Sequence, residues 1–213
     1  MNERIQVKIK NQLELWSFCI IIGAVVGGLV WGVLKIMSLG MDFLWTWIPE
    51  RVSVPYYTIL ICTAGGLIIG LFRKRYGDYP EEMEIVMDRM KNEKHYEYKN
   101  MLVMIIAALL PLLIGSSIGP EAGLTGIVVG LCYWAGDNLK FAKTHAKEYS
   151  EIGTAVSLSV LFHAPLFGIF EVEETPEEDL SSLTKGSKLF IYGIALVAGT
   201  GIYAGLSALF GAG

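Results

Sequence analysis

The chain has 213 residues, 53% of them hydrophobic and 18% charged, with a mean hydropathy of +0.49 and a formal net charge of -4. Soluble domains carry about 25% charged residues, so this composition indicates a membrane protein. The small net charge and the lack of a basic, aromatic stretch exclude nucleic acid as a partner, and no nucleophile with a base or metal cluster marks an enzyme.

Apolar runs long enough to cross a bilayer, about 17 to 25 residues each, cover residues 15–34, 56–72, 101–118 and 188–210. Two more, 119–136 and 152–170, are shorter and broken by Gly or Pro. The first run follows basic residues but has the length of a spanning helix and no small-residue cleavage site, so it is expected to be retained. Within it Gly23, Gly27, Gly28 and Gly32 strip side chains from one face, which lets another helix approach closely. The pattern recurs at Gly66 and Gly70, Gly126 and Gly130, and Gly201 and Gly205. Cys19, Cys62 and Cys132 lie in apolar runs without paired spacing and read as packed thiols, not a disulfide or metal framework.

Trp45, Trp47, Tyr56 and Tyr57 flank an expected loop holding Pro49 and Pro55, as aromatic residues do at a membrane interface. Basic residues are uneven: Arg4, Lys8 and Lys10 precede the first span, and Arg73, Lys74, Arg75, Arg89, Lys91, Lys94 and Lys99 follow the second. By the positive-inside rule the N-terminus and residues 73–99 are cytoplasmic. The segment 73–100 is too charged to cross. Its Met83, Val86, Met87 and Met90 recur at helical spacing, with Glu82, Asp88, Arg89 and Lys91 elsewhere around the helix. Pro80 suits a first turn and Asp78 lies close to a capping position. A cytoplasmic amphipathic helix is one expectation; an N-terminus dipping toward a permeation path is the other.

The stretch "LLIGSSIGPEAGLTGIVVG" over residues 112–130 holds one charge, Glu121. Gly115, Gly119 and Gly123 are four apart, but Pro120 removes a donor and disfavours a helical approach. One helix is therefore expected to end between Gly115 and Gly119 and another to begin at Pro120. Glu121 then stands in a first turn, where free N–H groups and the positive end of the helix dipole converge. Such an end inside a membrane is an anion site. A tethered carboxylate can fill it, a free anion can compete, and protonation weakens the tethered one's hold. An unpaired acid at mid-bilayer costs about 2.5 to 3.5 kcal/mol on insertion scales, which argues against an incidental placement. The plainer reading is a helix cap at an interface.

In "GTAVSLSVLFHAPLFGIFEVEE" Pro165 implies another break, and Glu171, Glu173 and Glu174 form either a solvated end or a cytoplasmic proton entry. His163 reads as a packed or interfacial residue, since no second ligand lies at metal spacing. His95 and His145 lie in polar loops.

In this order, the Gly-rich first helix, "AGGLIIGLFRKRYG", "GSSIGPEAGL", "FHAPLFGIFEVEE" and the Gly-rich last span resemble the N-terminal half of the CLC family of chloride channels and chloride/proton antiporters. "GPEAG" is similar to that family's Gly-Lys/Arg-Glu-Gly-Pro gate motif and "HAPLFGIF" to its Asn-Ala-Pro-Leu-Ala-Gly segment. The resemblance implies that Glu121 is the gating glutamate, occupying an anion site and moving aside when protonated. It implies that the backbone at Gly119, Pro120, Glu121, Ala122 and Gly123 binds the anion. Glu173 or Glu174 would lie near the antiporters' internal proton-transfer glutamate, with the acidic end about one residue short of that pattern. Where the family has Gly-Ser-Gly-Ile-Pro, this chain has "YGDYP", so that Gly77 takes the position of the anion-contacting serine and Asp78 adds a negative charge. Pro120 stands where a basic residue is common, and Gly123 where proline is common.

A family subunit has two inverted halves, and the second half's Gly-x-Phe-x-Pro segment and pore tyrosine are not in this sequence; no internal repeat replaces them. A truncated or split gene product, a half that joins a complementary half, and an antiparallel homodimer are the alternatives, the last disfavoured by the Lys/Arg asymmetry. The expectation is an all-α, polytopic membrane protein with broken and re-entrant helices, a single transmembrane domain over residues 1–213 that forms half of a CLC-type inverted repeat. Its expected function is transport of small monovalent anions, chloride first and fluoride another, as a channel or anion/proton antiporter without a cofactor or metal. Its expected partners are the anion, protons, the lipid bilayer and a homo-oligomer or complementary half, in the cell membrane. A non-transporting membrane scaffold is the alternative from another class, and an unrelated inverted-repeat transporter is a third.

Overall fold

The computed structural model describes residues 2–52, 55–77, 81, 83–92, 101–116, 119–138, 146–164 and 185–211. Among them are helices and no strand. The elements are α1 (Asn2–Asp42), a π-helical turn (Phe43–Trp47), α2 (Ile48–Arg51), α3 (Tyr57–Tyr76), α4 (Met83–Asn92), α5 (Met101–Ile114), α6 (Pro120–Asn138), α7 (Ala146–Leu161) and α8 (Lys185–Phe210).

Three stretches among the described residues are long and apolar enough to cross a membrane: Trp16–Arg51, Tyr57–Tyr76 and Leu189–Phe210. The expected loop after the first span is largely helical, because α1 runs on to Asp42 and the π turn passes directly into α2. Pro49 causes no break there, since the turn before it is π-helical and Leu44 O, the acceptor that an N–H of residue 49 would have in that ladder, takes Tyr57 Oη–H instead. The run expected over 101–118 stops as a helix at Ile114. At 1.5 Å per residue α5 is about 21 Å long, short of a hydrocarbon core of about 30 Å.

Gly115 ends α5. Its φ of +80° is open to glycine at little cost, and it allows a Schellman turn: Gly115 N–H donates to Leu112 O at 3.1 Å and Ser116 N–H to Pro111 O at 3.0 Å. α7 closes in the same way, with His163 N–H on Val160 O and Ala164 N–H on Ser159 O. There His163 takes the left-handed position at φ +52°, exposed, with its ring edge-on to Tyr203 at 5.9 Å.

α6 is the centre of the bundle. Every residue from Gly123 to Gly130 is buried. Leu124, Val128 and Cys132, one turn apart, join a core with Val26 and Val30 of α1, Val156 and Val160 of α7, and Ala195 and Leu196 of α8. Ile127, Val129 and Tyr133 join a second core with Val86 of α4 and Met104 and Ala108 of α5. The amphipathic segment thus folds onto the bundle through Val86, which is fully buried, while Glu84, Ile85 and Asp88 are exposed. Arg89 reaches Glu81 in a 2.8 Å ion pair.

The glycines of α1 divide by partner. A Cβ on Gly23 would strike the backbone of Ala195, and one on Gly27 the backbone of Gly199, so these two set the close crossing of α1 and α8. Among the described residues, Gly32, Gly66, Gly70, Gly201 and Gly205 face open space. α3 exposes Ile59, Leu60, Leu67, Ile68 and Leu71 and buries only Gly65.

Candidate functional site

α6 begins where the sequence breaks the preceding helix. Pro120 is its first residue and Glu121 stands in its first turn. Proline suits that position because its missing N–H would have no intrahelical partner. Glu121 is half-buried, and its carbonyl accepts a hydrogen bond from Thr125 Oγ1 at 2.7 Å. Both carboxylate oxygens and Cδ of Glu121 fold back into the space that a Cβ on Gly119 would occupy. The acid therefore lies back toward Gly119, over the start of its own helix. No left-handed φ is needed at Gly119, so glycine serves there by leaving room.

Of the other residues singled out, Pro120 and Ala122 take their places in the first turn of α6 beside Glu121. Gly123 is buried against α5, where a Cβ would strike that of Ala108. Close helix packing is thus a demand on Gly123 in its own right. Gly77 caps α3 at φ +101°, and its N–H donates to Arg73 O at 2.9 Å. That donor is engaged within the helix end, which bears on any coordination at the position where the family has serine. Asp78, Glu173 and Glu174 lie outside the described residues, as do Pro80, Glu171, His95 and His145.

Sequence reasoning missed the supports of the corner. Trp45 Nε1–H donates to Leu113 O at 2.9 Å, and Tyr57 Oη–H donates to Leu44 O at 2.6 Å. Aromatic residues at loop edges signal an interface, and nothing in their spacing signals a contact with residue 113. An apolar groove of about 780 Å³ runs along α8, lined by Ile20, Leu189, Phe190, Gly193, Ile194 and Val197. It lies away from Glu121. Among the described residues no group of three His, Cys, Asp or Glu is placed to hold a metal.

Apolar helices of spanning length, with a central helix restarted at a Gly-Pro break, define a helical membrane protein. The family model described as voltage gated chloride channel matches residues 65–209, and the chain belongs to that family. The match begins in α3, so it leaves out α1. Members of this family are channels and transporters rather than enzymes. No curated protein and no solved structure matches the chain.

Proposed function

We propose that the protein carries small monovalent anions, chloride first, across the cell membrane as a channel or anion/proton antiporter, with its N-terminus in the cytoplasm. The observation that carries this reading is the Glu121 carboxylate lying over the start of α6 against Gly119. In that position it takes the place of an anion at a helix N-terminus. Protonation neutralises the carboxylate and removes its attraction to the helix end, so that a mobile anion can replace it on the backbone around Gly119, Pro120, Ala122 and Gly123. Glu173 or Glu174 would exchange the proton with the cytoplasm, and Gly77 and Asp78 would border the inner end of the path. Arg73, Lys74 and Arg75 in the last turn of α3 support a cytoplasmic location of that end.

Transport in this reading belongs to an assembly with a second half, either a complementary chain or another copy. The open glycine faces of α3 and α8, at Gly66, Gly70, Gly201 and Gly205, are where closely packed helices would fit. The test is chloride efflux from vesicles containing the purified protein, followed across pH. The wild type gains flux as pH falls, and Glu121→Gln has that raised flux at every pH. Flux indifferent both to pH and to Glu121→Gln removes the gate from the reading. No flux from folded, assembled protein favours the scaffold.

A further inference from the structure

The turn that ends α5 is braced from the π turn that follows α1. The last four carbonyls of any helix lack partners within it, and at membrane depth an unsatisfied one costs several kcal/mol. At the end of α5 the Schellman turn satisfies Pro111 and Leu112. The next carbonyl, Leu113 O, is satisfied by the indole N–H of Trp45 at 2.9 Å. The indole also lies over the turn itself, with Cζ2 4.0 Å from where a Cβ on Gly115 would stand.

The π turn makes this contact possible. The N–H of Ile48 reaches back to Phe43 O, so one extra residue is held in the turn. Trp45 is half-buried, while Phe43 and Trp47 stay exposed and stack on each other at 5.0 Å between ring centres. Tyr57 holds the turn in place through its bond to Leu44 O. Gly40 and Gly65 let the side chains of Leu113 and Ile114 seat directly on α1 and α3. The end of α5 is therefore gripped on two sides, only a few residues before Gly119 and Glu121.

We infer that Trp45 is a positioning residue for the Glu121 gate, acting through the Gly115 turn. This rests on the proposed role of Glu121, and two readouts separate the claims. The first is amide hydrogen exchange at Gly115 and Ser116, whose N–H groups are held by the turn. Trp45→Phe keeps a ring and removes the donor, so exchange at these two amides rises about two- to tenfold, the factor one hydrogen bond corresponds to. Amides of the buried stretch Leu124–Gly130 stay as they were. The second is chloride flux in vesicles for W45F, E121Q and W45F/E121Q. W45F raises flux by about the same factor while Glu121 is present, because the carboxylate is held less firmly. The double variant matches E121Q, whereas a purely structural defect would lower flux in both backgrounds.

Unchanged exchange at Gly115 and Ser116 overturns the inference, and so does an equal change of flux with and without Glu121. If E121Q itself leaves flux unaltered, the gate reading fails, and raised exchange then leaves Trp45 with the turn alone. Tyr57→Phe removes only the tether of the π turn. It moves both readouts in the same direction and decides the matter where W45F does not accumulate.

Discussion

Gly27→Leu separates α1 from α8 and lowers the resistance of the protein to denaturing detergent by about 3 kcal/mol, the upper end of the range for overpacking. The cause is the partner atom. A Cβ at residue 27 would land on the carbonyl of Gly199, and one at residue 23 on that of Ala195. Backbone cannot rotate out of the way as a side chain can, so the helices must part along their crossing. That crossing joins the core, since Gly199 also receives Val156 of α7, and the damage reaches the helix that packs against α6. Gly32→Leu and Gly186→Leu serve as controls, because both positions face open space among the described residues and neither lies on the glycine faces offered to a second half. Each stays within about 0.5 kcal/mol of the wild type, as surface changes do. Thermal and detergent melts of the three variants side by side check the contrast, and equal losses would refute it.

The four-residue glycine spacing was legible in the sequence, but which glycines work was not. Gly23 and Gly27 meet backbone, whereas Gly66, Gly70, Gly201 and Gly205 meet nothing among the described residues. Spacing describes one helix, and contact is a property of two. The breaks were legible because Gly and Pro act locally. Gly115 and Pro120 bound the gap between α5 and α6 within the expected limits. What the sequence left open was which glycine stops α5. Gly115 does so because the Schellman turn needs a left-handed residue directly after the helix, followed by an N–H that can reach back to Pro111. The continuation of α1 to Asp42 was hidden by aromatic residues and Pro49, which in other settings mark an interface and a loop.

At the candidate site, the position of Glu121 in a first turn followed from Pro120 alone. The direction of its side chain did not, because it depends on rotamers and on the missing Cβ of residue 119. Nor was Trp45 legible, since its partner stands 68 positions away. A hydrogen bond of that span leaves no periodicity in either segment.

Gly119→Ala is expected to raise chloride flux at neutral pH about tenfold while the fold stays intact. The added methyl takes the space where both oxygens of Glu121 lie. The atoms it meets are the far end of a flexible side chain, so the carboxylate swings away instead of the backbone yielding. Residue 119 has no left-handed φ that alanine would resist, and the cost to stability is about 1 kcal/mol, that of alanine at a helix start. A penalty of about 1.4 kcal/mol on the lodged carboxylate corresponds to tenfold in its occupancy. Gly115→Ala is the contrasting change, because its φ of +80° resists any side chain whatever the space around it. Efflux measured for G119A with and without E121Q decides between two owners of the space at residue 119. If the carboxylate owns it, the methyl acts only while Glu121 is present, and G119A/E121Q matches E121Q. If the mobile anion uses the same space, the methyl crowds it too, and flux falls in both backgrounds.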